Sequence, residues 1–104
     1  MKWITPEECQ QMMGNNPVEL IDVRENWEYE ICHIASTHIP MHEITAAVMS
    51  LDKEKSYVIV CKSGRRAEAV ANLLESEHGF TDISVLEGGI TAWYALTDPT
   101  SEIY

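Results

Sequence analysis

The chain has 104 residues, seven Lys and Arg against 17 Asp and Glu, and a formal net charge of -10. That length holds one domain around one core, and a composition of 45% hydrophobic and 23% charged residues is that of an ordinary soluble globular fold. The acidic balance argues against nucleic acid and anionic membrane as partners, since both need basic surface, and no apolar stretch approaches the length of a membrane span.

The opening Met1-Lys2-Trp3-Ile4-Thr5-Pro6 lacks the apolar run of a signal peptide, which favours a cytoplasmic protein. Trp3-Ile4 reads as a short first strand. Thr5-Pro6-Glu7-Glu8 then signals a helix start, with Thr5 as N-cap, Pro6 in the first helical position and Glu8 closing a capping box. This helix is expected to run to about Met13 and to end at Gly14, with Asn15-Asn16-Pro17 as a turn. Residues 18–23 form a mostly apolar second strand, as expected of a strand covered on both faces, and Arg24 follows at its end. Asn26 to Ile31 reads as a short helix with Trp27 and Ile31 on one face. Residues 37–40 lead through a third strand. Residues 44–51 read as a helix whose apolar stripe is Ile44, Ala47, Val48 and Leu51.

Tyr57-Val58-Ile59-Val60 is an apolar, β-branched run and reads as a buried fourth strand. Cys61-Lys62-Ser63-Gly64-Arg65-Arg66 follows, and then a helix that stops near Gly79. Phe80 is expected to fold back on the core. Ile83-Ser84-Val85-Leu86 is a fifth strand, Glu87-Gly88-Gly89 a turn, and Ile90-Thr91-Ala92-Trp93 opens a last helix. Residues 1–97 are expected to form the domain and residues 98–104 a loosely held tail. Strands alternating with helices imply βαβ units, hence an α/β fold with a mainly parallel sheet and helices on both faces. Ligands bind such sheets beyond the carboxyl ends of the strands, where Cys61 and Arg24 both lie.

The three cysteines, Cys9, Cys32 and Cys61, are odd in number and widely spaced, so they form neither a disulfide framework nor a CxxC zinc site. Reduced thiols fit best. The four histidines make no metal constellation with them, because Pro40 breaks any helix that would align His38 with His42. Cys61 stands apart. A cysteine where a strand ends and a helix begins faces successive backbone N–H groups and the positive end of a helix dipole, conditions that favour the nucleophilic thiolate. Lys62, Arg65 and Arg66 put three of the chain's seven basic residues in this one loop. A buried strand-end cysteine is more often a small core hydrophobe. The polar, tribasic loop, with Ser63-Gly64 free to turn inward, points instead to a nucleophilic sulfur in an anion-binding cradle.

Three blocks of the sequence together resemble a single-domain rhodanese, a thiosulfate or persulfide sulfurtransferase. They are Leu20-Ile21-Asp22-Val23-Arg24-Glu25 with Glu28-Tyr29 and His33-Ile34, the loop Cys61-Lys62-Ser63-Gly64-Arg65-Arg66, and Leu86-Glu87-Gly88-Gly89-Ile90-Thr91-Ala92-Trp93. The resemblance implies a three-layer α/β sandwich around a five-stranded, mainly parallel sheet, and chemistry without a cofactor or a metal. It implies that the Cys61 thiolate takes the sulfane sulfur of a small donor such as thiosulfate, and that a thiol, cyanide or a sulfur-accepting protein then removes it. Lys62, Ser63, Gly64, Arg65 and Arg66 would bind the donor. Within that set Arg66 would hold the loop's shape, while Lys62 and Arg65 would meet the donor's exposed charge. Asp22 and Arg24 match the family's Asp-x-Arg, either as a structural ion pair or as a contact to substrate. Glu87-Gly88-Gly89 and Trp93 read as turn and core packing.

Cys32 stands where the family often has glycine, and would serve as a resolving thiol if it reached Cys61. Two other functions stay open. A cysteine phosphatase uses a similar junction, but its signature needs five residues between Cys and Arg. Here four separate Cys61 from Arg66, and Ala67 occupies the phosphatase arginine position. A non-catalytic persulfide carrier or regulatory module, serving a partner protein, would use the same loop.

Overall fold

A computed structural model describes residues 1–15 and 18–100. Five strands, β1 (Lys2–Ile4), β2 (Val18–Asp22), β3 (Thr37–His38), β4 (Ser56–Val60) and β5 (Asp82–Leu86), form one sheet in the order β1-β5-β4-β2-β3. Every pairing is parallel. The helices are α1 (Pro6–Asn15), α2 (Asn26–Ile31), α3 (Ile44–Ala47), α4 (Arg65–His78) and α5 (Gly89–Thr97).

The central strands β2, β4 and β5 are largely apolar because both of their faces are covered. Their side chains alternate between two cores. On one face Ile21, Tyr57, Ile59, Ile83 and Val85 pack with Ile44 and Val48 and with Ala67, Val70 and Leu74 of α4. On the other, Ile4, Leu20, Val58, Val60 and Leu86 pack with Cys9 of α1 and Ile90 of α5. The arrangement is the three-layer sandwich expected. Phe80 closes the first core, buried and tilted against Tyr57 at 5.8 Å between ring centroids.

Local signals account for most boundaries. The capping box at α1 is formed: the Thr5 N–H donates to the Glu8 carboxylate at 2.9 Å, and the Glu8 N–H donates to Thr5 Oγ1 at 3.2 Å. Gly79, at φ +72°, ends α4 in the left-handed conformation that glycine adopts without a Cβ penalty. Two expectations need correction, and two others fall outside the described residues. Gly14 is helical rather than a terminator, and α1 continues to Asn15. The expected turn falls on Asn16 and Pro17, which lie outside the described residues, as do residues 101–104 of the expected tail. The helix expected over residues 44–51 is a single α turn between two 3-10 turns, Met41–Glu43 and Val48–Ser50. Ile44, Thr45 and Val48 are β-branched and helix-poor, so packing of Ile44 and Val48 rather than propensity holds this segment.

The connection from β2 leads to β3 on one side, and that from β4 leads to β5 on the other. The winding therefore reverses between the neighbours β2 and β4, the place where open α/β sheets carry their ligands. Asp22 pairs with Val60 in register, so Arg24 and Cys61 leave the sheet at almost the same level.

Candidate active site

Cys61 follows the last residue of β4, and Gly64 is the N-cap of α4. Gly64 has φ +108°, a conformation that L side chains rarely adopt, and it reverses the chain within three residues of the cysteine. The reversal points the Gly64 N–H at Cys61 Sγ, 3.0 Å away, and the Ala67 N–H reaches the same sulfur at 3.4 Å. Donors aimed at the sulfur stabilise negative charge on it. They act against the cost of burial, since Cys61 is 1% exposed and its side chain closes one end of the core with Val23 and Ala67. Lys62, Ser63 and Arg65 are exposed and form the open rim of the loop.

The three loop cations divide by partner. Arg66 gives a two-pronged ion pair to Glu28 of α2, Nη1 to Oε1 at 2.7 Å and Nη2 to Oε2 at 2.9 Å. These hydrogen bonds hold the Glu28 carboxyl below its ordinary range and push the Arg66 guanidinium up. Lys62 and Arg65 make no ion pair among the described residues. The loop thus presents two uncommitted positive charges on a chain of net charge -10.

Asp22 and Arg24 form a buried ion pair. Arg24 Nη2 donates to Asp22 Oδ2 at 2.8 Å and Nε to Oδ1 at 3.0 Å, with both residues fully buried. The guanidinium also donates to the Glu28 carbonyl at 3.2 Å and the Cys32 carbonyl at 2.7 Å. Arg24 therefore ties the end of β2 to α2 through the Glu28 carbonyl and to the Cys32 carbonyl just beyond it.

The Rhodanese-like domain family matches residues 5–96. The chain belongs to that family. Among relatives, YtwF of Bacillus subtilis is 38% identical over 91 residues, covering 86% of each chain. The thiosulfate sulfurtransferase GlpE of Pseudomonas fluorescens is 32% identical over 93 residues, 88% of this chain and 84% of its own. Among solved structures, a rhodanese-like domain protein of Staphylococcus aureus superposes with a TM-score of 0.82 at 34% identity, covering 100% of this chain and 99% of that one.

In this rhodanese-like domain several residues outside the predicted set shape the site. Gly89, at φ +60°, lies directly beneath the cysteine loop, where a Cβ would sit 2.4 Å from the carbonyl oxygens of Cys61 and Lys62. That close approach lets the first turn of α5 cap the loop. The Ile90 N–H donates to the Cys61 carbonyl at 2.9 Å, and the Thr91 N–H and hydroxyl donate to the Lys62 carbonyl at 3.2 and 3.0 Å. The carbonyls are held on α5 while the amides of Gly64 and Ala67 face the sulfur. Trp3 packs against Gly64 from β1, with its indole 3.3 Å from where a Cβ would be. The paired glycines were legible as a turn; their contact with a loop 25 residues upstream was not.

Cys32 and Cys61 are not brought together. Cys61 belongs to the core on one face of the sheet, and Cys32 packs against the core on the other. All three cysteines are free thiols. Among the described residues no group of His, Cys, Asp and Glu could hold a metal ion, and no helix is long and apolar enough to cross a membrane.

Proposed function

We propose that this domain is a sulfurtransferase in which Cys61 takes the sulfane sulfur of thiosulfate, or of another persulfide-type donor, and passes it to a thiol or cyanide. The observation that carries this reading is the pair of N–H donors, from Gly64 and Ala67, converging on Cys61 Sγ. The family membership and the name of the GlpE relative support it.

In the first step the Cys61 thiolate attacks the outer sulfur of thiosulfate. A Cys61–sulfur bond forms as the donor's sulfur–sulfur bond breaks, and sulfite departs with the bonding electron pair. In the second step an acceptor thiolate or cyanide attacks the outer sulfur of the persulfide. The product leaves as a new persulfide or thiocyanate, and the Cys61 thiolate returns. Both halves move negative charge across one sulfur, where fixed amide donors stabilise it without reorganising. Two covalent half-reactions predict ping-pong kinetics. Lys62 and Arg65, the uncommitted cations on the rim, meet the charged end of the donor. Four residues between Cys61 and Arg66 make a cradle for one sulfur, too short for a phosphoryl group, so aryl phosphate turnover is expected to be negligible.

Intact mass spectrometry tests the chemistry. Thiosulfate should add one sulfur atom, cyanide should remove it, and Cys61→Ala should abolish the gain. A protein that takes up no sulfur, or takes it up without Cys61, overturns the proposal. Turnover separates an enzyme from a carrier: many cycles with small thiols support catalysis, whereas a stall after one sulfur supports a carrier that awaits a partner protein.

A further inference from the structure

Glu28 touches two of the three arginines near the site, Arg24 and Arg66. Its backbone carbonyl accepts from Arg24 Nη1 at 3.2 Å, and its carboxylate takes both terminal nitrogens of Arg66. The carboxylate is itself oriented. Oε1 also accepts the Glu25 N–H at 2.9 Å, in a capping box at the start of α2. With 5% of its surface exposed, Glu28 is among the few buried charged residues, and an ionised carboxylate is held there by these donors. Arg66 lies in the first turn of α4, one residue before Ala67, whose N–H meets Cys61 Sγ. A charge on Cys61 is also felt at Arg66.

We infer that Glu28 is a positioning residue for Cys61: it locks Arg66 as a brace between α2 and the first turn of α4, and so keeps that cation off the incoming anion. The planar guanidinium fork suits bracing, because two parallel hydrogen bonds fix direction as well as distance. The loop then offers the donor two free cations, Lys62 and Arg65, instead of three. Releasing Arg66 should have two opposite effects. The amides on Cys61 lose their support, so transfer slows. A third cation becomes available, so small anions bind more tightly.

The opposition of these effects is the test, and only its kinetic arm rests on the sulfurtransferase reading. Cys61 is alkylated with iodoacetamide, a neutral reagent, in the presence of increasing sulfate, and its modification is followed by peptide mass. In Glu28→Gln, half-protection should need about fivefold less sulfate than in the unaltered protein, the scale of one added charge near 4 Å in water. Glu28→Asp keeps the carboxylate and should remain near the original value. Glu30→Gln removes the same charge from an exposed position on α2 and should not shift protection. Where thiosulfate is turned over, kcat of Glu28→Gln should fall about tenfold. Unchanged or weaker sulfate protection in a Glu28→Gln protein with a native circular dichroism spectrum overturns the inference, as does equal tightening in Glu30→Gln. The sulfate arm needs no sulfur transfer, so failure to load sulfur overturns the proposed function and leaves this measurement standing.

Discussion

Gly89 and Cys61 are separated by 28 positions, yet a methyl group on Gly89 would lie 2.4 Å from the Cys61 carbonyl oxygen. The contact is backbone on backbone, so no side chain can move to relieve it. Gly89→Ala should destabilise the protein by about 2–5 kcal/mol, combining a left-handed backbone cost with overpacking. It should also displace the hydrogen bonds from Ile90 and Thr91 that hold the loop carbonyls. Urea unfolding and the rate of sulfur loading at Cys61 report the two effects. Native stability in this variant would show that the contact does not constrain the loop.

The uncommitted charges on Lys62 and Arg65 lead to a donor-dependent effect. Lys62→Gln or Arg65→Gln should raise KM for thiosulfate about five- to tenfold, the scale of one lost charge contact near the surface. Use of a persulfide with a neutral tail should change far less. Added salt should mimic the substitutions, because both cations are exposed. Steady-state kinetics with the two donors measures the contrast, and equal losses for both would remove these residues from donor binding.

The Asp22–Arg24 pair is fully buried, so removing one partner strands the other. Asp22→Asn should cost about 3–5 kcal/mol, seen as a lower urea midpoint. A double replacement by apolar residues of similar size, Asp22→Leu with Arg24→Met, should recover part of that loss, since no charge is left unpaired. A single variant as stable as the unaltered protein would contradict the burial of the pair.

Acid should weaken the fold through identified carboxylates. Glu28 is held low chiefly by the Arg66 hydrogen bond, Glu19 chiefly by Lys55 and Asp82 chiefly by Ser56. Each native value lies below that of the unfolded chain, about 4.3 for Glu and 3.9 for Asp. The native state then binds fewer protons, so this stability is present above those unfolded values and is lost as pH falls through the native ones. Urea midpoints should be flat above about pH 5 and fall below it. The fall should be shallower in Glu28→Gln, and an identical acid limb would exclude Glu28 from it.

Burial pushes the Cys9 thiol up to about 11. At pH 8 roughly one molecule in a thousand carries its thiolate, and the side chain has no exposed surface. In a Cys32→Ser/Cys61→Ser variant, the remaining thiol should react with a disulfide reagent no faster than the protein unfolds. Rapid reaction in the native state would show that Cys9 is not packed beneath α1.

The cysteine loop was readable because its cause is local. An apolar strand, a Cys at its end, a Gly and a helix within a few positions define a junction whatever surrounds it. The same holds for the Thr5–Glu8 capping box and for the alternation of strands and helices that implies a parallel sheet. Trp27 and Ile31 mark the boundary of this kind of reading. They share one face of α2 as their spacing predicts, but they are 57% and 46% exposed, so periodicity revealed the helix and not what covers it.

By itself, then, the order of residues determined the alternation of strands and helices, the parallel sheet they build with helices on both faces, and the place of Cys61 at a strand-to-helix turn. Only the tertiary structure decided that Arg66 is spent on Glu28 while Lys62 and Arg65 stay free, that Gly89 and the first turn of α5 hold the loop from below, and that Cys32 lies across the sheet from Cys61. The physical reason is range. Propensity, capping and turn chemistry act over a few neighbouring residues, whereas an ion pair across 38 positions or a backbone contact across 28 exists only once packing has placed both sides within a few ångströms.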